Sequence, residues 1–223
     1  MIEKVKQQVI ALLCKDNTGH GFDHIERVLK LALKFCKKEN ANQDIVSLIA
    51  LLHDVDDYKL VGKENAHKLI NSRRIMDEAN VPLDIQEIVL KELACIGYSN
   101  LLKGNRPSTK EGMITSDADM CDAIGVNGIL RTYQYSFFKN EPFFIKDVFP
   151  VTTIDPEEYT TKGSATSVCH MFEKLLKLKD LMMTKSGYEE AIKRHQVIVD
   201  FLYQFFEEED VPEWKEYLDK FKC

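Results

Sequence analysis

The sequence has little of what secreted, membrane-spanning or turn-rich proteins need. Only ten glycines and six prolines occur in 223 residues, which disfavours a β fold with many tight turns and favours long helices. No apolar run approaches the roughly 20 residues that span a bilayer, and the N-terminus has the pattern of an amphipathic helix rather than a signal peptide. We therefore expect no membrane association.

Metal-cage cysteine motifs and basic tracts are absent as well. The six cysteines include no CxxC motif, and several lie on apolar helical stripes, a pattern typical of buried free thiols in a reducing cytoplasm. The formal charge is −6, and no basic tract indicates nucleic-acid binding. An anionic substrate would therefore need a metal ion or a local cluster of cations.

Helical periodicity dominates what is present. Apolar residues recur at helical spacing along most of the chain, and no repeat or linker divides it, so we predict an all-α fold in a single domain over residues 1–223. The segment 43–53 is apolar on nearly all sides, which predicts a central buried helix. The first helix is expected to begin at residue 2 and to end near 16–19, and the others are expected at about 23–38, 43–53, 63–79, 83–96, 110–123, 164–182, 187–208 and 212–221.

Two stretches between these helices differ from them in composition. Residues 97–108 are polar and predict a loop. Residues 133–163 are aromatic and interrupted by proline, and we interpret them as an irregular excursion or lid. Their aromatic side chains could stack on a nucleobase, although such side chains more often belong to a core.

Buried histidines are the first candidates for chemistry. His24 lies on the apolar stripe of the second helix, and His53-Asp54 closes the most apolar helix. A buried carboxylate beside an imidazole is costly unless a cation pairs with it, and no lysine or arginine lies within four residues on that helix. A divalent metal ion is therefore the favoured partner. His67 and His195 are interpreted as surface residues of their helices.

An acidic cluster follows at residues 117–122. Asp119 and Asp122 share one helical face, so the cluster is either a solvated surface or a surface that faces a metal, and its apolar neighbours favour partial burial. Two histidines and two carboxylates suit Mn, Fe, Co, Ni, Zn or Mg in an open site. Such a metal lowers the pKa of a bound water, so that it can act as a nucleophile near neutral pH.

Three motifs resemble those of the HD superfamily of metal-dependent phosphohydrolases. They are HGFDHIERV at 20–28, LLHDVDDYK at 51–59 and DADMCDAIG at 117–125. Together with HMFEKLLKLKD at 170–180, they resemble a small bacterial subset of the YpgQ type. The resemblance implies a helical bundle of the HD type, with a core at about 18–132, the irregular aromatic segment at about 133–163 and C-terminal helices at about 164–222.

The resemblance also implies a set of metal ligands. With Mn the favoured ion, it implies one divalent metal held by His24, His53, Asp54 and Asp119. His20 competes with His24, and from the turn before the helix it could also meet the substrate as a catalytic group. Asp117 competes with Asp119, which is preferred because related motifs place the ligand directly after the alanine.

Further charged side chains accompany these motifs. Asp56 and Asp57 follow the His-Asp pair, where one of them could orient the attacking water or act as a general acid or base. The superfamily's usual Asp-Arg-Leu-Asp is changed at Met120-Cys121, and the missing arginine could weaken a local ion pair. The cations expected to bind the phosphate groups are Lys59, Lys174, Arg27 and Lys63.

The predicted activity is hydrolysis of a small phosphate substrate. The YpgQ-type resemblance implies a nucleoside triphosphate that is cleaved to monophosphate and pyrophosphate. The alternatives are a phosphodiesterase or phosphomonoesterase that acts on a small nucleotide, and a non-catalytic protein that binds one. A di-iron oxygenase is disfavoured, because His67 is the one further histidine between Asp54 and Asp119. The sequence carries no signal for a particular oligomeric state.

Overall fold

The computed structural model describes residues 1–13, 21–151 and 164–222. These residues form helices and connecting segments without strands, which confirms the predicted all-α class. The α-helices are α1 Ile2–Leu13, α2 Phe22–Glu39, α3 Gln43–Leu52, α4 Tyr58–Val61, α5 Lys63–Ala66, α6 Ile70–Glu78, α7 Leu83–Leu93, α8 Tyr98–Leu102, α9 Lys110–Asp122, α10 Gly125–Lys139, α11 Ser167–Glu173, α12 Lys185–Glu208 and α13 Pro212–Leu218. Two 3₁₀ helices cover Leu175–Leu181 and Asp219–Phe221.

The chain divides into two compact units, Met1–Asp119 and Met120–Cys223, and the boundary falls within α9. A single domain over the whole chain stays a prediction.

The N-terminal unit is built around α3, as its all-apolar pattern predicts. Seven consecutive residues of α3, from Val46 to Leu52, are buried, and the helix packs against α1, α2 and α7. Its start is fixed by Asn42, whose side-chain oxygen accepts hydrogen bonds from the backbone N–H groups of Asp44 and Ile45. The end of α3 lies in the hydrophobic core, where Leu51 and Leu52 are buried, and His53 follows directly.

The C-terminal unit has an aromatic core centred on Trp214. The ring of Phe149 stacks on Trp214 with centroids 4.4 Å apart, and Phe144 meets it edge-on at 5.2 Å. The indole N–H of Trp214 donates to the carbonyl of Lys146 at 2.9 Å. Phe144 and Phe149 of the predicted irregular segment thus pack against this core. Other aromatic side chains of that segment are exposed, namely Tyr133, Tyr135, Phe137 and Phe138.

The structure corrects three details of the predicted elements. The expected loop at 97–108 contains α8, and α10 continues to Lys139 through the first part of the segment predicted to be irregular. The long helix expected at 164–182 is instead α11 followed by a 3₁₀ helix. Residues 152–163 of the aromatic segment lie outside the described residues.

Two findings bear on the expected cellular environment. Of the helices in the described ranges, none is both long and apolar enough to cross a bilayer. Those cysteines that the structure describes are free thiols, namely Cys36, Cys95, Cys121 and Cys169. The cytoplasmic location stays a prediction.

Candidate metal centre

His24 enters the site from the first turn of α2. The stripe that α2 buries contains His24, Val28, Leu31 and Phe35, which is the apolar face that the sequence predicts. Only 2% of the His24 side chain is exposed. Its Nε2 lies 3.1 Å from Nε2 of His53, so the two imidazoles present the same ring atom to one point.

His53 is held by the end of α3. Its Nδ1 lies 2.9 Å from the carbonyl oxygen of Ala50. Because a carbonyl only accepts hydrogen bonds, Nδ1 carries the proton and Nε2 keeps its lone pair. A backbone carbonyl that fixes the tautomer in this way is the usual support for a metal-ligating histidine.

Two carboxylates complete the cluster. Oδ1 of Asp119 lies 3.4 Å from Nε2 of His24 and 3.8 Å from Nε2 of His53. Oδ2 of Asp54 lies 3.5 Å from the first of these nitrogens and 3.6 Å from the second. The carboxylates are 15% and 24% exposed for Asp54 and Asp119, so the buried imidazoles reach solvent through the acidic side of the cluster.

These distances fit one divalent ion. Donor atoms that share an ion at about 2.1 Å are about 3.0 to 3.4 Å from one another in octahedral or tetrahedral arrangements. The distances from the two imidazoles span 3.1–3.8 Å, and the donor atoms of His24, His53 and Asp119 all lie within 4.8 Å of one another. Two buried imidazoles with acidic neighbours are also a donor set that suits a divalent transition metal.

The electrostatics of Asp119 point the same way. Burial by itself raises the pKa of this carboxyl, but the hydrogen bond from His24 and the positive charge that His53 carries when it is protonated lower it below its ordinary value overall. The group is therefore ionised in the folded protein at neutral pH. An ionised carboxylate is the form that binds a metal.

Asp56, one of the two carboxylates predicted to be catalytic, accepts hydrogen bonds from the start of α6. Its Oδ1 accepts the N–H of Asn71 at 2.8 Å, and its Oδ2 accepts both the N–H and the hydroxyl of Ser72 at 2.9 and 2.6 Å. Both oxygens thus satisfy the first turn of α6, and only 6% of the residue is exposed. Asp57 is partly exposed and immediately precedes α4.

The predicted phosphate-binding cations are distributed over the chain. Arg27 forms an i,i+4 ion pair with Asp23 at 2.7 Å and lines a surface cavity of about 500 Å³ together with Lys6 and Lys30. Lys174 follows α11 in the C-terminal unit. Three predicted groups lie outside what the structure describes: the whole of His20 and the side chains of Lys59 and Lys63.

The rival carboxylates of α9 differ in their surroundings. Asp117 is fully buried, whereas Asp119 is the one whose carboxylate oxygen lies beside both imidazoles. Asp122 is 2% exposed and pairs with Arg131 of α10 at 3.0 Å. The arginine that the motif lacks at 120 is thus matched by an arginine from the next helix.

A second polar cluster lies in the C-terminal unit. Glu173 is 5% exposed, its Oε1 accepts the N–H of Val151 at 2.9 Å, and its Oε2 accepts the hydroxyl of Ser164. His170 Nδ1 lies 3.4 Å from the same hydroxyl, and burial, with the charge of Lys174, lowers the pKa of His170 to about 3. The HMFEK motif was the signal for this cluster, but only Lys174 of it was predicted to act.

Comparison with known proteins connects these motifs to a family. The sequence model of the HD domain matches residues 21–124. The Bacillus subtilis protein YpgQ is 28% identical in an alignment of 229 positions, gaps included, which covers 94% of this chain and 93% of that protein.

Solved structures agree in fold and in extent. An HD-superfamily hydrolase from Bacillus thuringiensis is 32% identical, with a TM-score of 0.73 over 94% of this chain and 96% of that one. A protein from Lactobacillus plantarum is 31% identical, with a TM-score of 0.81 over 93% and 95%. YpgQ in complex with ADP is 26% identical, with a TM-score of 0.71 over 93% and 94%.

Proposed function

This chain belongs to the HD superfamily of metal-dependent phosphohydrolases, and on that premise we propose that it hydrolyses a nucleoside triphosphate to the monophosphate and pyrophosphate. The observation that carries the proposal is the convergence of His24, His53 and Asp119 on one point, with Asp54 beside both imidazoles. The same four side chains are the proposed ligands of one divalent ion.

The proposed ion is Mn, with Mg, Co, Ni, Fe and Zn as alternatives that the same donor set accommodates. When bound, such an ion would act as a Lewis acid toward a phosphoryl oxygen and would lower the pKa of a water ligand. Among the proposed ligands, His53 is an imidazole whose tautomer is fixed by the carbonyl of Ala50, and Asp119 is a carboxylate that remains ionised.

Asp57 is the proposed general base. Hydrolysis requires that a water oxygen bonds to phosphorus, that the bond to the pyrophosphate leaving group breaks, and that a base accepts the water's proton. Asp56 is engaged in capping α6, so of the adjacent pair Asp57 is the carboxylate that we assign to the proton. His20, which lies outside the described residues, is also proposed to meet the substrate.

The substrate is proposed to be a nucleotide because of one relative. YpgQ has been crystallised with ADP and is similar to this chain over nearly its whole length. In this chain Lys59, Lys63, Arg27 and Lys174 are the proposed phosphate-binding cations. A negatively charged protein needs such local cations, besides the metal, to hold a polyphosphate. The enzyme is proposed to act in the cytoplasm, without a nucleic-acid partner.

The decisive experiment is a screen of nucleotides with Mn, Mg, Co or Ni, in which orthophosphate and pyrophosphate are measured separately. Pyrophosphate with a nucleoside monophosphate supports the proposal, whereas orthophosphate alone, or cleavage of a phosphodiester, supports one of the alternative hydrolases. Nucleotide binding without turnover under any metal supports a non-catalytic binding protein.

A matched pair of variants tests the proposed ligands. We expect His53→Ala to abolish metal binding and turnover, because it removes an imidazole whose tautomer leaves Nε2 free to bind the metal. The exposed His67 provides the control, since His67→Ala removes a histidine outside the cluster. Full hydrolysis by metal-free His53→Ala would contradict the mechanism.

A further inference from the structure

We propose that Glu92 is a positioning residue for the candidate metal centre, since it fixes α9 along its axis and thereby sets the place of Asp119. The inference rests on the proposed metal-dependent function. It concerns a residue that lies on α7 and outside the HD motifs.

The carboxylate of Glu92 is buried at the start of α9. Only 1% of the residue is exposed. Its Oε2 accepts the N–H of Ser108 at 2.9 Å, and its Oε1 accepts the hydroxyl of Ser108 at 2.8 Å and the N–H of Thr109 at 3.3 Å. These donors belong to the two residues directly before α9, and a negative charge is favoured close to the start of a helix. Glu92 therefore forms an anionic cap, from another helix, on the segment that leads into α9.

A glycine makes this approach sterically possible. A Cβ atom at Gly112 would lie 2.1 Å from Oε2 of Glu92 and 2.9 Å from Cβ of Pro107. Gly112 N–H donates in turn to the hydroxyl of Thr109 at 3.1 Å. The backbone of the first turn of α9 thus lies directly against the carboxylate, and the helix has no free space in which to move toward it.

The same turn of α9 is tied to the two helices that carry the histidines. Oε1 of Glu111 accepts the N–H of Asn42, which precedes α3, at 2.8 Å. Nζ of Lys110 donates to the carbonyl of Glu39, the last residue of α2, at 3.1 Å. The three ligand-bearing helices are therefore joined at the ends opposite to those where His24, His53 and Asp119 meet.

An α-helix transmits an axial displacement because each residue adds a fixed rise of about 1.5 Å and is bonded to the turn before it. A shift of α9 at Ser108 and Thr109 is therefore carried to Asp119. A displacement of about 1 Å is enough to spoil a constellation of ligands or catalytic groups. Loss of the Glu92 cap should consequently weaken metal binding beyond its effect on folding.

The experiment compares two buried side chains of α7. Gln86 donates to Asp77 and to the carbonyl of Val81 and has no described hydrogen bond to α9, so Gln86→Ala is the control for loss of stability. Mn affinity is measured by calorimetry, and unfolding by urea in the presence of EDTA. We expect both Glu92→Ala and Gln86→Ala to be less stable, and Glu92→Ala alone to bind Mn at least tenfold more weakly.

Conservative variants keep the test informative if Glu92→Ala does not fold. Glu92→Gln retains one acceptor oxygen and should bind Mn with intermediate affinity. Gly112→Ala forces the carboxylate back and should weaken Mn binding in the same direction. With Mn at saturation, these variants should lower kcat while the KM for the nucleotide stays unchanged, because the substrate contacts are not altered.

Two different negative results have different meanings. Failure of the unaltered protein to bind any divalent ion would overturn the proposed function and this inference with it. Normal binding by the unaltered protein, together with equal Mn affinities for the Glu92, Gly112 and Gln86 variants, would overturn the positioning role alone.

Discussion

At the scale of single residues, the C-terminal unit contains two histidines that resist protonation. Burial, and then the charge of Lys174, lowers the pKa of His170 to about 3. Burial also lowers the pKa of His195, whose Nε2 donates to the carbonyl of Phe221 at 2.7 Å. Both side chains are therefore neutral in the folded protein at neutral pH.

A pH-dependent loss of stability follows for His170. The folded pKa lies below the value of about 6.5 for a free histidine, so the unfolded chain binds the proton more readily. The stabilisation is present above about pH 6.5 and is lost progressively as the pH falls toward 3. Between pH 7 and pH 5 we expect the His170→Gln variant to lose about 1–2 kcal/mol less of its free energy of unfolding than the unaltered protein.

Urea unfolding in metal-free buffer at the two pH values measures this difference. The exposed His67 offers the matched control, because His67→Gln removes a histidine that is solvated in the folded protein and should leave the pH dependence unchanged. The prediction would be contradicted if the free energy of unfolding changed by the same amount between the two pH values in all three proteins.

His195 shows where reasoning from single residues went wrong. It was predicted to lie on the surface, yet it is fully buried. The signal was present in the sequence, because Ala191, Ile198 and Leu202 share its helical face and are buried with it. The same pattern, a single histidine on an apolar stripe, predicts the buried position of His24, and it also applies to His195.

At the scale of elements, the predictions were best where apolar residues recur without interruption. The helices α2, α3 and α9 have bounds within one residue of those expected. Of these, α2 has a long apolar stripe and α3 is apolar on nearly all sides. Prediction was poorer at α10, where the buried residues are Gly125, Gly128 and Ser136 and large apolar side chains are exposed. The apolar side chains of α10 therefore do not mark its buried face.

Asp56 is expected to stabilise the start of α6. We expect Asp56→Ala to lower the free energy of unfolding by about 1–3 kcal/mol, because it leaves buried donors at the start of α6 without partners. Asp57→Asn should instead leave stability within about 0.5 kcal/mol and lower kcat, as the proposed base requires.

Urea unfolding and steady-state kinetics on the two variants separate these roles. The adjacent aspartates serve as controls for each other, since each substitution removes one carboxylate beside the same His-Asp pair. A stable Asp56→Ala protein without turnover would reverse the assignment and return Asp56 to the chemistry.

At the scale of the whole molecule, the candidate site exists only in the folded chain. His24, His53 and Asp119 come from helices that are far apart in sequence and meet through packing of the N-terminal core. The motifs allowed us to predict which side chains would converge. They could not show how α9 is held, because a helical pattern does not reveal that Glu92 of one helix caps another.

Metal binding should therefore stabilise the fold, and it can decide between the two rival carboxylates. An ion that binds the folded state alone adds about 2.7 kcal/mol when its free concentration is 100 times its Kd. We expect Mn to raise the Tm of the unaltered protein and EDTA to reverse the rise. Asp119→Asn should abolish this response, because the carboxylate of Asp119, like that of Asp54, lies beside both imidazoles.

Asp117→Asn is the matched control on the same helix. Asp117 is fully buried, so its substitution should lower the Tm with and without Mn while the rise produced by Mn remains.

Lowering the pH should weaken the rise in Tm that Mn produces in the unaltered protein, since ligand imidazoles must be neutral to bind a metal. Differential scanning calorimetry of the three proteins, with Mn and with EDTA, measures each effect. If Asp117→Asn loses the response and Asp119→Asn keeps it, the fourth ligand is Asp117 and the proposed site must be redrawn.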